Sequence, residues 1–158
     1  MGDNGTTNLV AQSPYSSTKV KNTLYQGGIN TPLFVSGKGV SRSGIDNQLL
    51  VGTDLFATIA QIAGVNVNEY HDSKSFKSLF SQSSSIRNYQ YSELKDGTDE
   101  LWTISNGIYK LLIKNSGNEM YNLVNDPYEN NNLLNNVLST TEQSAKTLLE
   151  TELNNIRQ

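Results

Sequence analysis

Short runs of alternating apolar and polar residues in the second half of the chain predict an antiparallel sheet. These runs lie at residues 89–91, 102–105, 108–113 and 120–123. The second and third runs flank Asn106-Gly107, which is the strongest short signal for a hairpin. A second turn at residues 115–118 leads into the last run. The pattern therefore predicts a meander of about four strands.

Two other stretches carry apolar residues at helical spacing. In the first, Thr53 can cap a helix, Asp54 suits the positive end of its dipole, and Gly64 can end it. In the second, Ser139 and Glu142 form the sequence pattern of a capping box. The predicted apolar faces are Leu55, Ile59, Ile62 and Ala63 in the first helix and Ala145, Leu148, Leu149, Leu153 and Ile156 in the second. We expect the second helix to pack onto one face of the meander.

The first half of the chain has fewer regular patterns. Residues 33–35 form a short apolar run between turn residues, which predicts a buried strand with Pro32 at its first position. A run of serines at residues 83–85 indicates a boundary or an exposed loop. We therefore expect residues 1–85 to form strand–loop–helix units of an α/β structure, and residues 86–158 to form a sheet-and-helix subdomain.

The composition is polar without being highly charged. Hydrophobic residues make up 35% of the 158 residues and charged residues 17%, with a formal net charge of −3. This charge gives no electrostatic footprint for nucleic acid or for acidic membranes, so we expect neither partner. The absence of cysteine excludes disulfides, thiolate metal sites and a cysteine nucleophile within the chain. No apolar run is long enough to span a bilayer.

The opening stretch, Gly2-Asp3-Asn4-Gly5, contains the first candidate chemistry. Asp3 and Asn4 place two hard oxygen donors side by side between glycines that allow tight bends. Lys21 follows with a cation just ahead of a Tyr-Gln-Gly-Gly turn. These residue types could form half of a site for a metal ion and an anionic ester. On residue chemistry alone they are more often an ordinary turn and a solvated lysine.

The remaining polar residues give no stronger signal. Five acidic residues near the predicted strands are expected to be ordinary surface charge: Asp96, Asp99, Glu100, Asp126 and Glu129. The sole histidine, His71, lies beside Asp72 in a polar stretch and is expected to be exposed. No phosphate loop, zinc pattern or calcium-loop pattern occurs. From these residues alone the function of the chain is undetermined.

Five motifs, taken in order, nevertheless resemble the C-terminal part of the sulfatase family. The first is Asp3-Asn4-Gly5, and the second is Lys21-Asn22-Thr23-Leu24-Tyr25-Gln26-Gly27-Gly28, which is similar to Lys-Gly-Thr-x-Tyr-Glu-Gly-Gly. The third and fourth are residues 53–59, with Ala57 where proline is usual, and residues 72–76. The fifth is residues 120–133, which resemble the tail motif Leu-Tyr-Asp-Leu-x-x-Asp-Pro-x-Glu-x-x-Asn-Leu.

The resemblance implies a fold and a set of roles. The fold would be the C-terminal fragment of an alkaline-phosphatase-like α/β sandwich, ending at about residue 85, followed by a four-stranded antiparallel sheet packed with a C-terminal helix. The family hydrolyses sulfate esters, aryl or carbohydrate, with a formylglycine nucleophile and a calcium ion. Asp3 and Asn4 match calcium ligands, and Lys21 matches the lysine that binds the sulfate and takes part in catalysis. Gln26 replaces the usual glutamate.

The departures from the family pattern concern the nucleophile. The motif Cys or Ser then x-Pro-x-Arg does not occur, and Ser13-Pro14-Tyr15 has the wrong spacing. In the family this motif lies upstream of Asp-Asn-Gly, so we expect the chain to be a C-terminal portion that is inactive alone. We also expect exposed apolar surface and self-association. The resemblance suggests a periplasmic or secreted protein, although the sequence itself does not fix the compartment.

Two alternative functions remain at this point. The parent protein could be a phosphodiester or phosphonate hydrolase or a phosphotransferase of the same superfamily, because calcium and lysine also serve phosphate esters. The chain could instead be a non-catalytic module that contacts carbohydrate through Trp102 and the tyrosines. Aromatic residues in a meander more often fill cross-strand pairs than bind sugars.

Overall fold

The computed structural model describes residues 1–3 and 5–158, and the side chain of Asp96 is not described. Contacts divide the chain into two compact units, one formed by residues 1–33 with 91–158 and the other by residues 34–90. No helix in the described part of the chain has the length and apolar character needed to cross a membrane.

The first unit is built on the predicted meander. Its strands are β3 (Gln90–Asp96), β4 (Asp99–Ser105), β5 (Tyr109–Ile113) and β6 (Glu119–Asn122), in the order β3-β4-β5-β6. Trp102 pairs with Ile113 and Leu111 pairs with Met120 in antiparallel register. At the hairpin turn the Asn106 side chain accepts the Tyr109 N–H at 2.8 Å. The predicted four-stranded sheet is confirmed.

The C-terminal helix α3 (Thr140–Ile156) covers this sheet on β4 and β5. Ser139 and Glu142 form the predicted capping box, in which each side chain bonds the other residue's backbone N–H. Leu149 and Leu153 are buried, whereas Leu148 and Ile156 at the edges of the predicted stripe remain largely exposed. The predicted apolar stripe of α3 is therefore wider than the part of the helix that the sheet buries.

The second unit is built around helix α2 (Asp54–Ile62), which packs on the short hairpin β1 (Glu69–Tyr70) and β2 (Ser73–Lys74). Thr53 makes no capping hydrogen bond with its side chain, so that prediction is wrong. The Asp54 side chain makes other contacts: its fully buried carboxylate accepts the Val51 N–H at 2.9 Å and the Lys74 N–H at 2.8 Å, both of which lie outside the helix.

The predicted apolar face of α2 is also wrong. The buried face contains Asp54, Ala57 and Thr58, while Ile59 and Ile62 are mostly exposed. Arg87 pairs with the Asp54 carboxylate, donating from Nε at 2.8 Å, and this pairing compensates the burial of the charge. This polar face can be buried because the Asp54 carboxylate accepts hydrogen bonds from Arg87 and from two backbone N–H groups.

The strand predicted at residues 33–35 is absent. This segment has no regular secondary structure, and the Phe34 side chain is 85% exposed. A strand forms only where its backbone groups meet a neighbour, and no strand in the described residues pairs with this run. A short helix, α1 (Gln26–Ile29), lies just before this segment.

The first 33 residues lie with the sheet and not with residues 34–85, which differs from the predicted division near residue 85. Leu24 explains this arrangement because it packs into a buried cluster with Leu112 of β5 and Tyr121 of β6. How the complete protein divides into domains stays a prediction.

Candidate functional site

Backbone hydrogen bonds join the opening stretch to the Lys21 segment. Gly5 N–H donates to the Gly28 carbonyl and Thr6 N–H to the Gly27 carbonyl, each at 3.1 Å. Lys21 N–H in turn donates to the Thr6 carbonyl at 2.8 Å. The stretch that contains Asp3 is therefore held beside the segment that contains Lys21.

Three glycines are required for this close backbone packing. A Cβ on Gly5 would collide with the carbonyl oxygens of Gly27 and Gly28, and a Cβ on Gly28 would collide with the Thr23 carbonyl oxygen. A Cβ on Gly27 would collide with the Lys19 carbonyl oxygen. Glycine, which has no Cβ, is therefore needed at each of these positions for the two segments to approach so closely.

The predicted site residues occupy the surface of this arrangement. Asp3 and Lys21 are both exposed, and neither side chain bonds or pairs with another residue that the structure describes. Asn4, the second predicted metal ligand, lies outside the described residues. Within residues 1–3 and 5–158 no group of three or more histidine, cysteine or acidic side chains is arranged to hold a metal. The roles of Asp3, Asn4 and Lys21 stay predictions.

Tyr25 anchors the segment after Lys21 to the sheet through a carboxylate. Its hydroxyl donates to Glu119 Oε2 at 2.6 Å and accepts from Lys114 Nζ at 3.0 Å, while Tyr121 donates to the same Glu119 oxygen at 2.8 Å. Burial alone would raise the pKa of Glu119, but the hydrogen bonds from Lys114, Tyr25 and Tyr121 outweigh it and lower the pKa. The carboxylate is the stable form in the fold.

Lys19 anchors the segment before Lys21. Its ammonium lies 4.8 Å from the Tyr25 ring centre and 5.0 Å from the Tyr121 ring centre, which is the geometry of a cation–π contact. It also donates to the Tyr121 hydroxyl at 3.3 Å and to the Glu129 carbonyl oxygen. Lys19 is therefore held in place, unlike Lys21 two residues later.

Glu129 differs most from its predicted environment. Expected to be surface charge, it is 1% exposed and lies 2.7 Å from the ammonium of Lys110, which is equally buried. Its other carboxylate oxygen accepts the Gln26 N–H at 2.5 Å. Burial lowers the pKa of Lys110 in spite of the opposing Glu129 charge. The tail motif contained this glutamate, but no local pattern indicates which charge is buried.

Two further predictions from the sequence concern His71 and Trp102. His71 is exposed as expected and packs edge-on against the Tyr70 ring. The Trp102 ring, considered as a sugar platform, has the Arg157 guanidinium stacked 3.8 Å from its centre. One face of that ring is thus already occupied by the chain itself.

Comparison with known proteins identifies the family. A family model described as N-sulphoglucosamine sulphohydrolase, C-terminal, matches residues 19–158. No curated protein matches. A solved structure of a predicted sulfatase from Bacteroides thetaiotaomicron VPI-5482 is 22% identical over 83% of this chain and 30% of that protein, with a TM-score of 0.67.

Two further solved structures share the fold. BT1596, a 2-O GAG sulfatase, is 22% identical over 75% of this chain and 27% of that protein, with a TM-score of 0.59. BT4656, solved in complex with its substrate D-glucosamine-2-N,6-O-disulfate, is 23% identical over 63% of this chain and 23% of that protein, with a TM-score of 0.52. This chain thus spans less than a third of each of these proteins. It belongs to the N-sulphoglucosamine sulphohydrolase C-terminal family of the sulfatases.

Proposed function

We propose that this chain is the C-terminal part of a sulfatase and supplies one edge of its active site. The observation that carries the proposal is the set of backbone hydrogen bonds that joins the stretch of Asp3 to the segment of Lys21 through Gly5, Thr6 and Gly28. Two exposed side chains of opposite charge are thereby presented on neighbouring segments. The formylglycine nucleophile is supplied from outside this chain, because its motif is absent here.

Lys21 contacts the sulfate group of the substrate. The Lys21 backbone is held by the hydrogen bond from its N–H to the Thr6 carbonyl, and its side chain is exposed and open to a ligand. Hydrolysis of a sulfate ester spreads negative charge over the sulfuryl oxygens. An ammonium beside them stabilises that charge more in the transition state than in the substrate.

Asp3 and Asn4 are ligands of a calcium ion. The Asp3 carboxylate fits this role because it is a hard oxygen donor, is exposed, and has no hydrogen bond or ion pair with any other described residue. Calcium takes about six to eight oxygen ligands, so the remaining donors come from outside this chain. When bound, the ion would supply positive charge beside the sulfate, and Asp3 would hold it near Lys21.

The proposed substrate is a sulfated carbohydrate, with an aryl ester as the less favoured choice. The family model is described for a sulphohydrolase of N-sulphoglucosamine, and two solved relatives are described with a sulfated glucosamine and as a GAG sulfatase. These descriptions favour sulfate over phosphate esters. The stacking of Arg157 on Trp102 disfavours the alternative of a sugar-binding module on that ring.

Hydrolysis of D-glucosamine-2-N,6-O-disulfate tests the proposal, with released sulfate as the readout. We expect the 158-residue chain to release none, and the intact protein that contains it to release sulfate in the presence of calcium. Lys21→Met in the intact protein is expected to lower kcat/KM about 100- to 1,000-fold, the usual effect of removing one group that stabilises the transition-state charge.

Lys38→Met is the matched control. Lys38 is an exposed lysine between two glycines in the other unit, so the substitution removes the same charge from a loop with no proposed role. We expect it to leave kcat/KM unchanged. Equal activity of the wild type and the Lys21→Met variant would contradict the role of Lys21, and turnover by the 158-residue chain alone would contradict an external nucleophile.

A further inference from the structure

We propose that Glu129 is a positioning residue that holds the Lys21 segment in its working geometry. This inference rests on the proposed function, in which Lys21 contacts the sulfate group. Glu129 touches neither substrate nor metal in this proposal. It acts by fixing both ends of the short segment from Lys19 to Gln26, which carries Lys21 between them.

The contacts of Glu129 reach both ends of that segment. Its carboxylate accepts the Gln26 N–H at 2.5 Å, and its main-chain carbonyl accepts from the Lys19 ammonium. A single residue thereby bonds position 19 through its backbone and position 26 through its side chain. Between these two positions, Lys21 N–H donates to the Thr6 carbonyl. The position of the opening stretch therefore depends on the same segment.

The tail loop that carries Glu129 is itself held by several hydrogen bonds. The Asp126 carboxylate accepts the N–H groups of Asn130 and Asn131 at 2.9 and 2.8 Å, and Glu129 N–H donates to the Asp126 carbonyl at 3.1 Å. Glu129 has a φ of 58°, a left-handed conformation that is unfavourable for a residue with a side chain. The loop maintains this conformation, and in it the carboxylate is buried.

The Glu129 carboxylate is also held in a buried ion pair, although its two charged atoms lack hydrogen-bond geometry. Glu129 and Lys110 are each 1% exposed with 2.7 Å between the carboxylate oxygen and the ammonium. A buried carboxylate that accepts a backbone N–H forms a stronger hydrogen bond than a neutral acceptor. Because Lys110 belongs to β5, the pair ties the Lys21 segment to the rigid sheet.

The test compares two double variants of the 158-residue chain. Lys110→Met with Glu129→Gln removes both buried charges but keeps a side-chain carbonyl that accepts the Gln26 N–H. Lys110→Met with Glu129→Met removes the same charges and the acceptor, with a side chain of similar length. Neither variant leaves a buried charge unpaired, which is the usual cause of severe destabilisation when one partner is removed.

Amide hydrogen exchange, followed by NMR, gives the readout. In the Met–Met variant we expect the N–H groups of Gly5, Thr6, Lys21 and Gly28 to exchange about tenfold faster than in the Met–Gln variant, because the Gln26 N–H is left without an acceptor. The amides of β4 and β5 are expected to exchange at the same rate in both. A purely structural role for Glu129 would change all amides together.

The outcomes separate this inference from the proposed function. Equal exchange of the four N–H groups in the two variants would overturn the inference, and so would an equal loss of protection throughout the sheet or unfolding of the Met–Met variant alone. A titration of the wild-type chain with inorganic sulfate then follows the Lys21 amide shift. Absence of any shift would count against the proposed role of Lys21 and would leave the exchange result intact.

Discussion

Glu119 accepts hydrogen bonds from three side chains that come from different segments of the first unit. Tyr25 and Tyr121 bond one of its oxygens, and Lys114 bonds the other. Its own side chain is only 19% exposed. This single carboxylate therefore links the segment after Lys21 to β6 and to Lys114 just after β5, and its charge state affects the stability of the unit.

We predict that Glu119→Gln destabilises the chain at neutral pH by about 1.5–3 kcal/mol, the range for hydrogen bonds to a charged group. Burial is outweighed by the hydrogen bonds from Lys114, Tyr25 and Tyr121, which hold the pKa of Glu119 in the fold below its ordinary value of 4.5, so the stability it contributes is present above that value. This contribution is lost as the pH falls through the folded pKa. The difference between wild type and variant in urea unfolding should therefore shrink at pH values below 4.5.

Glu150→Gln serves as the control for this prediction. Glu150 pairs with Lys146 one turn earlier on α3, and its side chain is 39% exposed. Exposed pairs of this kind contribute about 0.3–0.5 kcal/mol. A difference between wild type and Glu119→Gln that stays constant from neutral to acidic pH would contradict a role for the Glu119 charge.

At the scale of single residues, the sequence could identify candidate chemistry but not burial. Asp3, Asn4 and Lys21 were found because their motifs are short and ordered. The sequence predicts a surface position for Glu129 because its partners come from other segments: Lys110 is on β5, and Gln26 is 103 positions away. Burial of a charge depends on such long-range partners, which no local pattern contains.

At the scale of elements, α3 depends on its N-terminal cap. Ser139 Oγ accepts the Glu142 N–H at 3.3 Å, and the Glu142 carboxylate accepts the Ser139 N–H at 2.7 Å. We predict that Ser139→Ala lowers the free energy of unfolding by about 1 kcal/mol, because a helix N–H loses its partner. Urea unfolding at neutral pH measures the change.

Ser144→Ala is the matched control for the cap. Ser144 lies on the same helix, is exposed, and bonds the Thr140 carbonyl one turn earlier, a contact that adds little to helix stability. We expect its effect to stay within about 0.5 kcal/mol of wild type. Equal destabilisation by the two substitutions would show that the capping box has no special role.

The elements that the sequence predicted correctly are those with local signals. Asn106-Gly107 specifies its turn through its own side chain and backbone, and Ser139 with Glu142 specifies the start of α3. The predictions of a strand at residues 33–35 and of the apolar face of α2 were wrong. Both depend on which surface lies opposite, and an apolar run or stripe has the same pattern whether or not a neighbour covers it.

At the scale of the whole molecule, α2 presents apolar side chains to solvent. Phe56, Ile59 and Ile62 are 57%, 60% and 55% exposed and follow one another at a spacing of three residues. The Phe56 ring contacts the Tyr70 ring, with 5.1 Å between the centres, which extends the apolar surface. Contiguous apolar surface of this kind promotes association in water.

We therefore predict that the 158-residue chain associates with itself as its concentration rises, and that Ile59→Lys weakens this association. A lysine at position 59 would place a charge in the centre of the apolar row, and burying that charge against a second copy is costly. Static light scattering over a range of concentrations measures the apparent mass.

Ile108→Lys is the matched control, because Ile108 is 51% exposed on a hairpin turn of the other unit. The control should associate like the wild type. A wild-type mass that stays at the monomer value throughout, or equal loss of association in both variants, would contradict a role for the α2 surface.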